Sequence, residues 1–500
     1  MSEKWQQLLS RLGEIHDLEG SCAVLGWDQQ TYMPPGGNQV KASQLATLLK
    51  LAHNMFVSDE MGELLEDLEA EMKDMPYDSF EAGILRVTRR AYDQAKCLSE
   101  DLVTELAKAR TLAFAAWAKA KQESDFSIFR PQLEHTLELK RQQAEALTYT
   151  DTPYDALLRL YEPDLNTAQV ALLFTQLRER QVPLITAIAA SGKKVDTSPI
   201  RQHFPDAGQW KLQLRLLELM GFNMEHGRLD RAEHPFTTSF GIQDVRLTTH
   251  LYPTDLCSGL FSTIHEAGHG LYEQGIDPKY ERTPLANGAT LSVHESQSRL
   301  WENLIGRSRL FWQHLMPILR EIFPQQMAGV NIDRMYQAVN EVKPSFIRVD
   351  ADEATYNLHI FIRFELEQDL ITGKLAVADL PEAWNDKYES YLGIRPSNDA
   401  EGVLQDVHWS TGMFGYFPTY ALGNILSVQI WDTMKQEPDI SAALLKGDFK
   451  VVRNWLRKNI HAYGRMFTTQ EIAQRVTGRP LTVGPYLDYI ETKYKELYGL

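Results

Sequence analysis

Along most of this chain the apolar residues recur every three or four positions, the spacing that places them on one face of an α-helix. Trp5, Leu8, Leu9, Leu12, Ile15 and Leu18 predict an amphipathic helix over 3–19, interrupted at Gly20. The same period predicts helices over about 39–55, 58–73, 79–98, 100–122 and 127–148, then 166–191 and 207–220. Trp27 to Gly37 reads as a loop, because a Pro-Pro-Gly-Gly run cannot continue a helix. Thr152-Pro153-Tyr154 and Pro163-Asp164 read as further breaks. Over 234–252 the period shortens to two and β-branched residues gather, which predicts a short β-hairpin. Helical spacing then returns at 308–323, 332–342, 419–436, 439–461, 469–477 and 485–499. Asp350 with Glu353 reads as a capping box opening a helix that runs to Ile371, just ahead of Gly373.

This succession predicts a mainly α fold with one small β element. No internal repeat or long linker divides the 500 residues, so a single domain over 1–500 is expected. Its helical half covers about 1–230 and its chemistry-bearing half about 231–500. In the first half the charged positions read as solvated helix faces. The net charge of −16 disfavours a nucleic-acid partner, because phosphate binding needs a basic face. Cys22, Cys97 and Cys257 are too scattered for a CxxC metal pair or a disulfide framework, which fits a reducing cytoplasm. The first residues lack a basic, then apolar, leader pattern, and no apolar run has the ~18 residues of a membrane span. No membrane partner is expected.

The densest chemistry lies in Ser262-Thr263-Ile264-His265-Glu266-Ala267-Gly268-His269. Residues four apart on a helix lie nearly above one another, so His265 and His269 share a face and can both ligate one Zn²⁺. Glu266 follows the first of them and can act as general base on a water at the metal. Leu260, Phe261, Ile264 and Leu271 supply an apolar stripe, and Gly275 a helix stop. A catalytic Zn²⁺ needs a third protein ligand. Ser292-Val293-His294-Glu295-Ser296-Gln297 opens a second periodic segment with Leu300, Trp301, Leu304 and Ile305. Glu295 is the expected third ligand and His294 its competitor; if Glu295 faces the metal, His294 points about 100° away.

Other groups are candidates for holding a substrate. Arg348 lies just before a helix, where a guanidinium can clamp a carboxylate in bidentate fashion or pair with Asp350 or Asp352. Tyr356, His359 and Arg363 are spaced to share one polar helix face. The glycine-rich, aromatic stretch 402–423 carries His408 and Tyr420 as possible oxyanion donors, in an order the residues leave open. The hairpin is either an edge that pairs with an extended peptide or a purely structural corner.

Six segments agree, in order, with one family: His234-Pro235-Phe236, Asp244-x-Arg246-x-Thr248, His265-Glu266-x-x-His269, His294-Glu295-Ser296-Gln297, Ile347-Arg348-x-x-Ala351-Asp352 and Gly402-x-x-Gln405-Asp406-x-His408-Trp409. Together with the Trp27-Asp28 to Pro35 stretch, the chain resembles the Taq-type metallocarboxypeptidases, peptidase family M32. The resemblance implies one helical metallopeptidase fold with a small sheet beside a deep substrate groove, usually a homodimer. It implies a zinc metallocarboxypeptidase that releases single C-terminal residues with broad preference and little tolerance of proline, Co²⁺ often replacing Zn²⁺. It assigns metal ligation to His265, His269 and Glu295, the base to Glu266, and the substrate's terminal carboxylate to Arg348. It associates the first two segments with limits on substrate length. The competing readings are a dipeptidyl carboxypeptidase or an oligoendopeptidase on the same zinc apparatus, and a metal-binding scaffold without activity. Glu266 speaks against the last, since a purely structural site needs no base.

Overall fold

The computed structural model describes residues 2–500. It is 67% helical with a single three-stranded sheet, the mainly α architecture that the periodicity predicts. The chain forms two compact units, each built from three separated segments. The first gathers Met1–Lys96, Asp196–Val339 and Ile430–Gly478; the second gathers Cys97–Val195, Asn340–Gln429 and Arg479–Leu500. Among the described residues no helix is long and apolar enough to cross a membrane.

In the first unit the opening helix is longer than its pattern suggests. It runs Glu3–Thr31, through Gly20 and into the stretch read as a loop, with Ser2 capping its start. Gly20 serves packing here rather than chain breaking: a Cβ on it would lie 3.1 Å from the carbonyl oxygen of Phe240. Only the turn around Pro34, continued by a short 3₁₀ turn over Pro35–Gly37, separates it from the next helix, Asn38–Phe56. The helix expected over 439–461 is two, Pro438–Leu445 and Lys450–Asn459, divided at Gly447 with φ +80°.

The hairpin is present as β2 (Thr237–Gly241) against β3 (Asp244–Thr249), antiparallel. A strand absent from the sequence reading, β1 (Gly227–Arg231), pairs in parallel with the other edge of β3, giving the order β1-β3-β2. Its sequence, Gly-Arg-Leu-Asp-Arg, has one apolar residue and so no alternation to read. Val245 and Leu247 of β3 are fully buried, and they face the helix Leu256–Gly275, whose start is capped by Asp255. That helix ends at Gly275, as expected. It is crossed by a second helix, Leu291–Arg299, at near-backbone contact: a Cβ at Gly268 would sit 2.6 Å from the Cα of Ser298. After Arg299 the winding loosens into a wholly buried π-helical turn, Leu300–Ile305. Such turns occur often at functional sites.

In the second unit the expected Asp350–Glu353 capping box is not formed. Arg348–Asp350 is a 3₁₀ turn, and the helix begins at Tyr356 and ends, as expected, at Ile371. Asp352 does the capping, accepting from the Ala354 and Thr355 amides at 2.9 and 3.0 Å. Glu353 is drawn instead into a buried pair with Lys493 (2.5 Å) that Tyr489 and Tyr494 complete. A carboxylate that can reach a buried ammonium and two hydroxyls does not turn back to an amide at the surface. Thr152-Pro153, read as a break, opens the short helix Pro153–Leu158, where Pro153 takes the first-turn position that tolerates it. Leu380–Leu392, a helix the periodicity reading passes over, buries Trp384 and Tyr388.

Candidate functional site

Within the first unit, the Leu256–Gly275 and Leu291–Arg299 helices bring His265, His269 and Glu295 together. One ligand atom from each lies within 4.8 Å of the other two. Both Nε2 atoms stand 3.5 Å from the same oxygen of Glu295, Oε2. Two imidazoles and a carboxylate converging this way form the donor set of a divalent transition-metal site. The Gly268 contact is what lets the two helices come near enough. His294, the rival for the third position, is outside the cluster: its Nδ1 lies 2.6 Å from Nδ1 of His269.

The donors are themselves held. Arg299 donates to Oε1 of Glu295 at 2.7 Å. Burial alone would raise the pKa of Glu295, but Arg299 and the two imidazoles outweigh it and hold the carboxyl well below its usual range. His265 donates from Nδ1 to Glu302 at 2.8 Å, and Glu302 also receives Arg299 and Arg307. Burial pulls His265 down; Glu295 and Glu302 overcome it and hold the imidazole up at about 10. At His269 burial prevails and holds the imidazole down at about 3.

Glu266 points toward the sheet, where the Thr237 hydroxyl donates to its Oε2 at 2.6 Å. Thr237 is the first residue of β2, so the hairpin fixes the orientation of this carboxylate. Burial raises the Glu266 pKa.

Arg348, His408 and Tyr420 lie together in the second unit. Arg348 is buried and donates to Oδ1 of Asp406 at 2.9 Å and to the Tyr356 hydroxyl at 3.0 Å. Arg363 holds the other oxygen of Asp406 at 2.7 Å, and Gln405 bridges the Arg348 amide and the Arg363 guanidinium. Two guanidiniums therefore share one carboxylate, and the buried carboxyl of Glu367 also faces Arg363. Burial pushes His408 down to about 3, so it adds no charge; its Nε2 lies 3.2 Å from the Tyr420 hydroxyl. Tyr356, His359 and Arg363 do share a face, which is buried, with His359 hydrogen-bonded to Tyr388 at 2.9 Å.

Thr237, Glu302, Arg299 and Asp406 are the members that the sequence reading does not single out for chemistry. Arg299 and Glu302 carry a signal, lying four and seven residues beyond Glu295 and hence near the same helix face.

The chain matches the family model described as carboxypeptidase Taq (M32) metallopeptidase over residues 7–494. It is 40% identical to thermostable carboxypeptidase 1 of Thermus thermophilus and 39% identical to carboxypeptidase 1 of Bacillus subtilis, each over 99% of both chains. Its structure is similar to that of the M32 carboxypeptidase from Deinococcus radiodurans R1, with 40% identity, full coverage of both chains and a TM-score of 0.96. It is also similar to Trypanosoma cruzi metallocarboxypeptidase 1, with 32% identity, 99% of both chains covered and a TM-score of 0.94. With a two-histidine, one-glutamate donor set on the matched helices, and likeness along its whole length, the chain belongs to the carboxypeptidase Taq (M32) metallopeptidase family.

Proposed function

We propose that this protein is a zinc carboxypeptidase that hydrolyses the last peptide bond of a substrate and releases single amino acids. The observation that carries the reading is the convergence of His265, His269 and Glu295, with Glu266 on the same helix and oriented by Thr237. The donor chemistry suits Zn²⁺, with Co²⁺ as an alternative occupant. Broad residue preference and poor release of proline follow from the family resemblance.

When bound, the metal supplies Lewis acidity toward the scissile carbonyl and toward a water molecule. Glu266 accepts the proton of the attacking water and passes it to the leaving amine. Thr237 occupies Oε2, so Oε1 of Glu266 is the proton acceptor. Tyr420 or His408 donates a hydrogen bond to the developing oxyanion. Arg348 binds the terminal carboxylate with its guanidinium and so marks the chain end.

Incubating the metal-loaded protein with a free-acid peptide and weighing the products tests this reading. A ladder of single-residue losses is expected. Loss of residues in pairs, or internal fragments, would replace it with a dipeptidyl or endopeptidase activity. Two further outcomes are expected. Glu295→Ala should purify with far less than one equivalent of metal and little activity, since three ligands leave no redundancy; elemental analysis checks it, and a full equivalent at normal affinity would remove Glu295 from the ligand set. Thr237→Val should lower kcat about tenfold while leaving KM and metal content unchanged, because it frees the rotamer of Glu266 without touching the donors, a scale within what general-base catalysis contributes. Thr237→Ser should restore most of the rate.

A further inference from the structure

His294 lies beside a metal donor without being one, and its surroundings define which ring atoms carry hydrogen. Its Nε2 lies 2.7 Å from Oε1 of Glu273, an oxygen that also accepts the Gly288 amide at 3.2 Å. A carboxylate oxygen is an acceptor, so Nε2 of His294 is the donor in that bond. A ring that donates from Nε2 can accept at Nδ1, which pairs the 2.6 Å contact with hydrogen on Nδ1 of His269. That leaves Nε2 of His269 as a lone pair facing Oε2 of Glu295 across 3.5 Å. Two acceptors aimed at one another at that distance call for a cation between them.

The support of His294 is built rather than incidental. Its ring packs against Tyr272, with centroids 5.2 Å apart, and it fills the space beside Gly288, where a Cβ would fall 2.4 Å from its Cδ2. The carbonyl of Gly288 is in turn held by Arg465, whose charge also faces Glu273. The two donor histidines are thus oriented by different devices. His265 leans directly on a carboxylate, Glu302, whereas His269 leans on an imidazole that a second carboxylate orients.

We propose that His294 and Glu273 form a positioning relay that fixes the tautomer of His269 and aims its Nε2 lone pair at the metal. This rests on the reading of His265, His269 and Glu295 as the metal site. The relay fixes a ring orientation that would otherwise have to be ordered on binding, so its loss appears as weaker metal affinity. Outer partners of metal-bound histidines are typically worth 10- to 100-fold in affinity.

The experiment is competition between apoprotein and a chromophoric chelator for Zn²⁺, at one pH, for wild type, His294→Phe and His265→Ala. His294→Phe keeps a ring in the pocket but offers His269 no acceptor. It should bind Zn²⁺ 10- to 100-fold more weakly with unchanged melting of the apoprotein, while His265→Ala loses far more. Binding by His294→Phe within twofold of wild type, alongside a steep loss in His265→Ala, would overturn the relay. Unchanged binding in both would overturn the metal site itself. If His294→Phe does not fold, long-range ¹H–¹⁵N correlation on the zinc-loaded wild type decides: hydrogen on Nδ1 of His269 and on Nε2 of His294 supports the relay, and the opposite tautomers refute it.

Discussion

Glu266→Gln should bind Zn²⁺ as the wild type does and turn over peptides at least ~10²-fold more slowly. Gln has the volume of Glu and can still accept the Thr237 hydroxyl through its amide oxygen, so the helix and the hairpin have no reason to shift. The side chain then presents an NH₂ where the reaction needs a proton acceptor, and an amide does not take a proton from water at neutral pH. Glu266 is not among the three clustered donors, so metal content should be untouched. Single-turnover rates on a free-acid peptide, with elemental analysis of the same preparation, read both halves of the expectation. A variant with full metal and a rate within a few-fold of wild type would remove Glu266 from the chemistry.

Arg348→Ala should cut kcat/KM for free-acid peptides by about 10²-fold, and should hardly change the already poor rate on C-terminally amidated peptides. The second partner of Asp406 is the reason to expect a folded variant. Arg348 and Arg363 share Asp406, so with Arg348 removed Asp406 keeps Arg363 at 2.7 Å. The opposite change, removing Asp406, would leave two guanidiniums under cover without the carboxylate they share. The substrate's carboxylate is the group whose loss the variant should report. Equal losses on free-acid and amidated peptides, with melting and metal content unchanged, would show that Arg348 does not read the chain end.

The convergence of His265, His269 and Glu295 was legible in the sequence, and the reason is geometric. His265 and His269 belong to one helix, whose period fixes their relation, and Glu295 lies on the second helix, Leu291–Arg299, that follows it. Residues whose partners lie far along the chain were not legible. Thr237 reaches Glu266 only because the hairpin packs on the metal-bearing helix. Asp406 is 58 residues from Arg348, so local reading offered Asp350 and Asp352 as its partners. His294 was a fair rival to Glu295 on residue type alone; only its contact with His269 gives it a different part. In the fold, Gly20 misled because a helix glycine that makes room for a neighbouring carbonyl is spelled like one that ends a helix. Strand β1 carries too few apolar residues for any period to register.

The threading of both units from three segments bears on how the protein is made. The donors are all present once residue 295 has been synthesised, yet Arg465, which secures Gly288 beside His294, arrives with the last segment of the first unit. The second unit waits for Arg479–Leu500. A nascent chain therefore carries its metal-binding side chains well before it can hold them in register, and neither unit can be obtained by expressing a front or back half. Chains released early at the ribosome should be soluble only with chaperone help and should bind metal weakly, whereas tight uptake should come late, as a sign that the Ile430–Gly478 segment has been laid in place.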